Sequence, residues 1–156
     1  MPLKINSTNG SVTLTPEDGV GNVDITVPRT PIVGQDHAGE FIADSYNERY
    51  EAVTSTSNAT TVDCENANSF SHTLTENTTF TFSNPPASGT AYTFSIEIIQ
   101  DALATGYTVT WPAAVEWADG SAPVLTNSAS AKDIFAFYTR DGGTTWYGFV
   151  AGQDMG

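Results

Sequence analysis

The side chains that could carry chemistry in this chain are two histidines, one cysteine, five lysines and arginines, and eighteen carboxylates. His37 and His72 stand far apart, and neither falls in a His-x-x-x-His or His-Glu-x-x-His spacing. Zinc therefore has no frame of paired imidazoles to bind. Cys64 is alone, so it can form neither an intramolecular disulfide nor a cysteine metal cluster, and it reads as a small buried hydrophobe. No Gly-x-Ser-x-Gly elbow presents a serine nucleophile, and no glycine-rich loop followed by Lys-Ser or Lys-Thr cradles phosphates. The stretch from Asp18 to Asp24 lacks the ligand spacing and closing Glu of a calcium loop. Carboxylate pairs for glycoside hydrolysis converge in space, and eighteen acids offer many pairs by chance. No catalytic, cofactor-binding or metal-ligating residue is assigned, and no cofactor is expected.

One motif has a turn to build. Thr139-Arg140-Asp141-Gly142-Gly143-Thr144-Thr145-Trp146 matches the Asp-box pattern that recurs in sialidase-like propellers, where the Asp organises a hairpin turn through local hydrogen bonds. It occurs once here, and the chain has only Arg29, Arg49 and Arg140 where a sialidase gathers several arginines around its substrate. The motif reads as a turn device and the chain as a non-enzyme. Four formal glycosylation sequons begin at Asn6, Asn9, Asn58 and Asn77, as chance provides in an Asn- and Thr-rich chain.

The formal net charge is −13, and Lys4, Arg29, Arg49, Lys132 and Arg140 form no basic stripe. Such a surface repels phosphate backbones and anionic lipid, so neither nucleic acid nor membrane is an expected partner. No run approaches the roughly 20 apolar residues of a membrane span. The opening Met1-Pro2-Leu3-Lys4-Ile5-Asn6 lacks the apolar core of a secretory signal. A chain made without an export signal, yet rich in Thr, Ser and Asn and poor in Lys, suits a particle released by lysis.

The elements that would position any site are strands. Val12 and Leu14, then Val23, Ile25 and Val27, alternate with polar residues around the turn Pro16-Glu17-Asp18-Gly19. This predicts an N-terminal β-hairpin arm over residues 1–30. Residues 31–49 read as a linker or extended crossing, with 40–50 ambiguous between a short helix and extended chain. From residue 50 to 156 the signal is β throughout. Runs are expected at Tyr50–Thr54, Thr60–Cys64, Ser69–Leu74, Thr78–Phe82, Ala91–Gln100, Tyr107–Trp111, Val115–Trp117, Asp133–Thr139 and Thr145–Val150. Short strands at this spacing predict an all-β fold, a β-sandwich or jelly-roll-like domain. The aromatics concentrate here. Phe80 with Phe82, Tyr92 with Phe94, and Phe135 with Phe137 each share a face, as residues two apart in a strand must. A packed core is the expected use of these rings. The alternative is a carbohydrate platform, for which Trp111 and Trp117 are the best placed.

The stretch from Phe70 to Phe149 resembles a β domain recurrent in structural proteins of tailed bacteriophages. The residues that carry the resemblance are the run Phe70 to Phe82, Ile98-Ile99-Gln100-Asp101, Thr108-Val109-Thr110-Trp111-Pro112, and Asp141 to Phe149. The resemblance implies a non-enzymatic viral structural protein, exposed on the virion surface and assembled as a homotrimer. It would be a capsid decoration (cement) protein or a short head or tail fibre, partnered by the major capsid or tail protein. A carbohydrate- or receptor-binding module (a tail-fibre adhesin), with a host-surface glycan as partner, is the alternative function. In the first reading the N-terminal arm and linker anchor on the capsid or a neighbour, and the aromatic-rich domain trimerises and faces outward.

Overall fold

The structure is a computed structural model and describes residues 46–156. The expected N-terminal hairpin, most of the linker, and His37 lie outside the described residues. Residues 46–49 form no regular element.

Nine strands follow: β1 (Tyr50–Ala52), β2 (Ala59–Asp63), β3 (Ser69–Thr73), β4 (Thr78–Ser83), β5 (Tyr92–Ile99), β6 (Val109–Thr110), β7 (Val115–Trp117), β8 (Lys132–Thr139) and β9 (Trp146–Gly152). Each overlaps a run expected from alternation. The described residues contain no α-helix, only a single 3-10 turn at Ala118–Gly120. The domain is all-β.

The strands form two sheets, ordered β1-β3-β5-β8-β9-β7 and β2-β4-β6. Through β7 the chain visits the larger sheet with every odd strand and the smaller sheet with every even one. Up to β6, successive visits stack side by side in parallel: Tyr50 beside Ser69, Ser69 beside Ser95, and Ala59 beside Thr79. Five of the seven strand pairings are parallel. A jelly roll is built from antiparallel strands, so the connectivity differs from that expectation; the N-terminal part winds as successive coils. Only β5–β8 and β8–β9 are antiparallel. The physical reason is connection length. Up to β7, each return to the same sheet passes through the opposite one, which leaves enough chain for a parallel crossover. β7 and β9 are instead separated by β8 of their own sheet.

Polar side chains join one coil to the next at the turns. Asn77 Oδ1 accepts the Thr108 N–H at 2.9 Å, and Asn84 Nδ2 donates to both oxygens of Asp63 at 3.1 Å. Tyr92 donates its hydroxyl to the Ala67 carbonyl at 2.6 Å. Between the sheets the inward positions interdigitate. Phe82 from the smaller sheet meets Phe94, Phe137 and Trp146 of the larger one at ring-centroid distances of 5.0, 4.9 and 5.2 Å. Edge-to-face pairs of this kind contribute about 0.5–1.5 kcal/mol each beyond the area they bury.

A three-stranded sheet cannot cover a six-stranded one. Where it runs out, indoles take over. Trp111 lies 5.2 Å from Phe135 and 5.0 Å from Phe137 of β8, and Trp117 lies 6.0 Å from Phe135.

Candidate functional site

The residues singled out by type are mostly absorbed into the core. Trp111 is 8 % exposed and stacks on Phe80 at 5.1 Å, and Trp117 packs against the same cluster. Both rings thus join the packed core that was the expected use of the aromatics, Trp111 buried and Trp117 partly buried, rather than the alternative of an exposed carbohydrate platform. His72 is buried, edge-on to Phe80, with Nδ1 donating to the Val53 carbonyl at 3.0 Å. Cys64 is buried too. Burial, followed by the charge of Asp63, pushes its thiol up to about 11. Among the described residues no three His, Cys, Asp or Glu side chains converge as a metal-binding group.

The Asp141 motif builds a turn. Asp141 Oδ1 accepts the Thr145 N–H and the Thr139 hydroxyl, each at 3.0 Å, while the Thr144 hydroxyl donates to the Asp141 carbonyl. The Thr145 N–H holds the Asp141 carboxyl below its ordinary range. Gly143 has φ +77°, and a Cβ there would sit 2.8 Å from Pro85. The device turns β8 into β9 and drops Trp146 into the core.

Two features remain free of the core. One is the outer face of β8 and β9. Ala136 is paired with Phe149 and Tyr138 with Tyr147, whose rings stack at 6.3 Å. Phe149 is 56 % exposed, with Tyr147 also exposed. Register shifts at Ile134–Phe135 make a bulge at this end.

The other is a cavity of about 290 Å³ between the turn after β5 and the loop before β8, lined by Gln100, Tyr107, Val109, Leu125 and their neighbours. Each wall is held by a carboxylate. On one side Asp101 accepts the N–H groups of Leu103 and Thr105 at 3.0 and 2.9 Å and the Thr105 hydroxyl at 2.8 Å. On the other, Asp133 of β8 accepts the N–H groups of Thr126 at 2.7 Å and Asp154 at 3.0 Å. Gln153 Nε2 donates to the Val124 carbonyl at 2.7 Å. Desolvation pushes the Asp133 carboxyl up, but the Thr126 and Asp154 N–H groups outweigh it and the pKa is lowered. Gly106, at φ +82°, faces Asn127 so closely that a Cβ would lie 3.2 Å from its Nδ2.

Gln100 belongs to this wall and is only 4 % exposed. Its backbone N–H donates to the Ala131 carbonyl, and its Nε2 donates to the Tyr107 carbonyl at 3.4 Å. A carbonyl only accepts, which fixes which end of the amide faces Tyr107. The other end, Oε1, is buried without a donor among the described residues. Sequence reasoning missed this site because Gln100 closes a strand pattern and carries no motif.

Comparison with protein-family models, with curated proteins and with solved structures finds no match to this chain.

Proposed function

We propose that this chain is a non-enzymatic structural protein of a bacteriophage particle surface, a capsid decoration (cement) protein or short head or tail fibre that works as a homotrimer. The observation that supports it is the outer face of β8–β9. A chain of net charge −13 repels its own copies, and association needs a surface that carries no charge. Ala136, Tyr138, Tyr147 and Phe149 form one on the neighbouring strands β8 and β9 of the larger sheet. The chemistry-bearing residues point the same way, since Trp111, Trp117, Cys64 and His72 are committed to the core.

The two facing sheets favour the sandwich half of the expected architecture, and their parallel stacking favours a short winding of coils over a jelly roll. Native mass by light scattering over a dilution series tests the assembly. A species near three times 16.6 kDa supports the reading. A monomer that also fails to bind purified particles speaks against it.

The cavity at Gln100 favours a second reading, a carbohydrate- or receptor-binding module. It differs from the first in needing a ligand rather than a neighbour.

A further inference from the structure

We infer that copies of this chain meet across the whole outer face of the larger sheet, the aromatic half on β8–β9 of one copy lying on the hydroxyl half on β3–β5 of the next. The inference rests on the homotrimer reading and names the partner surface which that reading leaves open.

Strand register sets the outward side chains in rows across the sheet. One row runs Tyr50, Ser69, Ser95, Ala136 and Phe149, from β1 to β9. Adjacent strands stand about 4.8 Å apart, so this row spans roughly 19 Å. Tyr50 and Phe149 at its ends are 63 % and 56 % exposed, and the side chains between them are small. The row is a shallow trough between two rings, with room for a ring of another copy. The next row runs Thr93, Tyr138 and Tyr147 and closes on Glu116 at the β7 rim.

Charge selects the occupant. The chain carries −13, yet its first row holds no charged residue and its second meets one only at the rim. Glu97, one row further along β5, is matched by Lys132 at 3.6 Å. Whatever covers this face must itself be uncharged, or its own charges would be desolvated without a partner. The same face of a second copy meets that condition. Tyrosine, serine and threonine hydroxyls each donate and accept, so the two halves can pair without any charge.

The unlike halves suit a threefold arrangement. In a closed ring of three, each copy touches its two neighbours through two different patches. The rings are also held in advance, Tyr138 stacked on Tyr147 and Tyr50 bonded to Ser71 at 2.7 Å, so less side-chain freedom is lost on contact.

The test is the native mass of the full chain over a dilution series, for the natural sequence and for Ser95→Lys, Thr93→Lys and Thr81→Lys. Lysine lowers the net negative charge, so a loss of association would not come from added repulsion. Ser95 and Thr93 stand outward on β5, whereas Thr81 stands exposed on the smaller sheet. The natural chain and Thr81→Lys should both give a species near three times 16.6 kDa. Ser95→Lys and Thr93→Lys should need about tenfold more protein to assemble, because each buries an ammonium without a partner. Circular dichroism melts identify a variant that fails to fold, and Thr93, already exposed, supplies the contact test if Ser95→Lys does. Assembly that tolerates both lysines on β5 overturns the hydroxyl half as partner surface but leaves the homotrimer standing. A natural chain that is a monomer or a dimer at every concentration overturns the threefold contact and the homotrimer together.

Discussion

The carboxylate of Asp133 accepts the Thr126 N–H at 2.7 Å from a position only 2 % exposed, and with it holds the loop before β8 against the sheet. Asp133→Ala leaves the Thr126 and Asp154 N–H groups without this acceptor and should cost about 1–3 kcal/mol in urea unfolding. The pH dependence has a definite sign. Folding lowers the Asp133 pKa, so its contribution is complete above the ordinary carboxylate value of 3.8 and is lost as pH falls through the folded value. The stability gap between the natural chain and Asp133→Asn should therefore narrow below about pH 4. A gap that stays constant to the lowest accessible pH would remove Asp133 from its role as loop anchor.

Trp111 fills the space that the smaller sheet leaves open. Trp111→Ala should destabilise the domain by about 3–5 kcal/mol, as large-to-small changes at buried aromatics do. An indole acting as an exposed sugar platform would cost far less. Thermal unfolding separates the two.

Gly148 lies under Trp117, and a Cβ there would meet the indole carbons at 2.8–2.9 Å. Gly148→Ala should cost about 1–3 kcal/mol by forcing the ring outward. Tryptophan fluorescence should shift to longer wavelength at the same time. An unchanged spectrum and melting temperature would mean the close approach is relieved elsewhere.

The outer strip on β8–β9 gives a separable prediction. Replacing Tyr147 and Phe149 together by serine should leave the unfolding free energy of the isolated protomer within about 1 kcal/mol, because both side chains are substantially exposed. The native mass should fall to that of one chain. If an oligomer persists, copies meet through some other surface.

Cys64 should behave as an inert core residue. Its thiol is buried and pushed up to about 11, so little thiolate exists at neutral pH. Alkylating reagents should label it slowly in the folded protein and fast in denaturant, read by intact-mass spectrometry. Rapid native labelling would contradict the packing around β2.

The positions of the strands were legible from alternation alone, because inward residues such as Phe70 and His72, or Phe135 and Phe137, repeat at the period of a pleated chain. Which sheet each strand joins was not. The alternation of Thr60–Val62 in the smaller sheet reads the same as that of Phe70–His72 in the larger one, since each faces the shared core. Pairing order depends on connections whose geometry has no local signature. Where Trp111 and Trp117 sit in the core was not legible for a related reason: nothing in their neighbourhood reveals that one sheet is half as wide as the other. Gln100 stayed hidden because its importance lies in a missing partner, and that depends on where Tyr107 and the loop before β8 come to rest.

β7 reaches the larger sheet only through β9, with Val115 beside Trp146 and Trp117 beside Gly148. During synthesis, β1 to β6 can settle coil upon coil as they leave the ribosome, each finding its neighbour already made. β7 emerges with no strand to join and must wait until the chain has been translated through β9. A nascent chain that has emerged only as far as Thr139 would thus be a nearly wound domain with one side unsealed and Trp117 without its seat on Gly148. The late hairpin acts as the latch, and the interval before it closes is when the nascent chain is most open to unwanted partners.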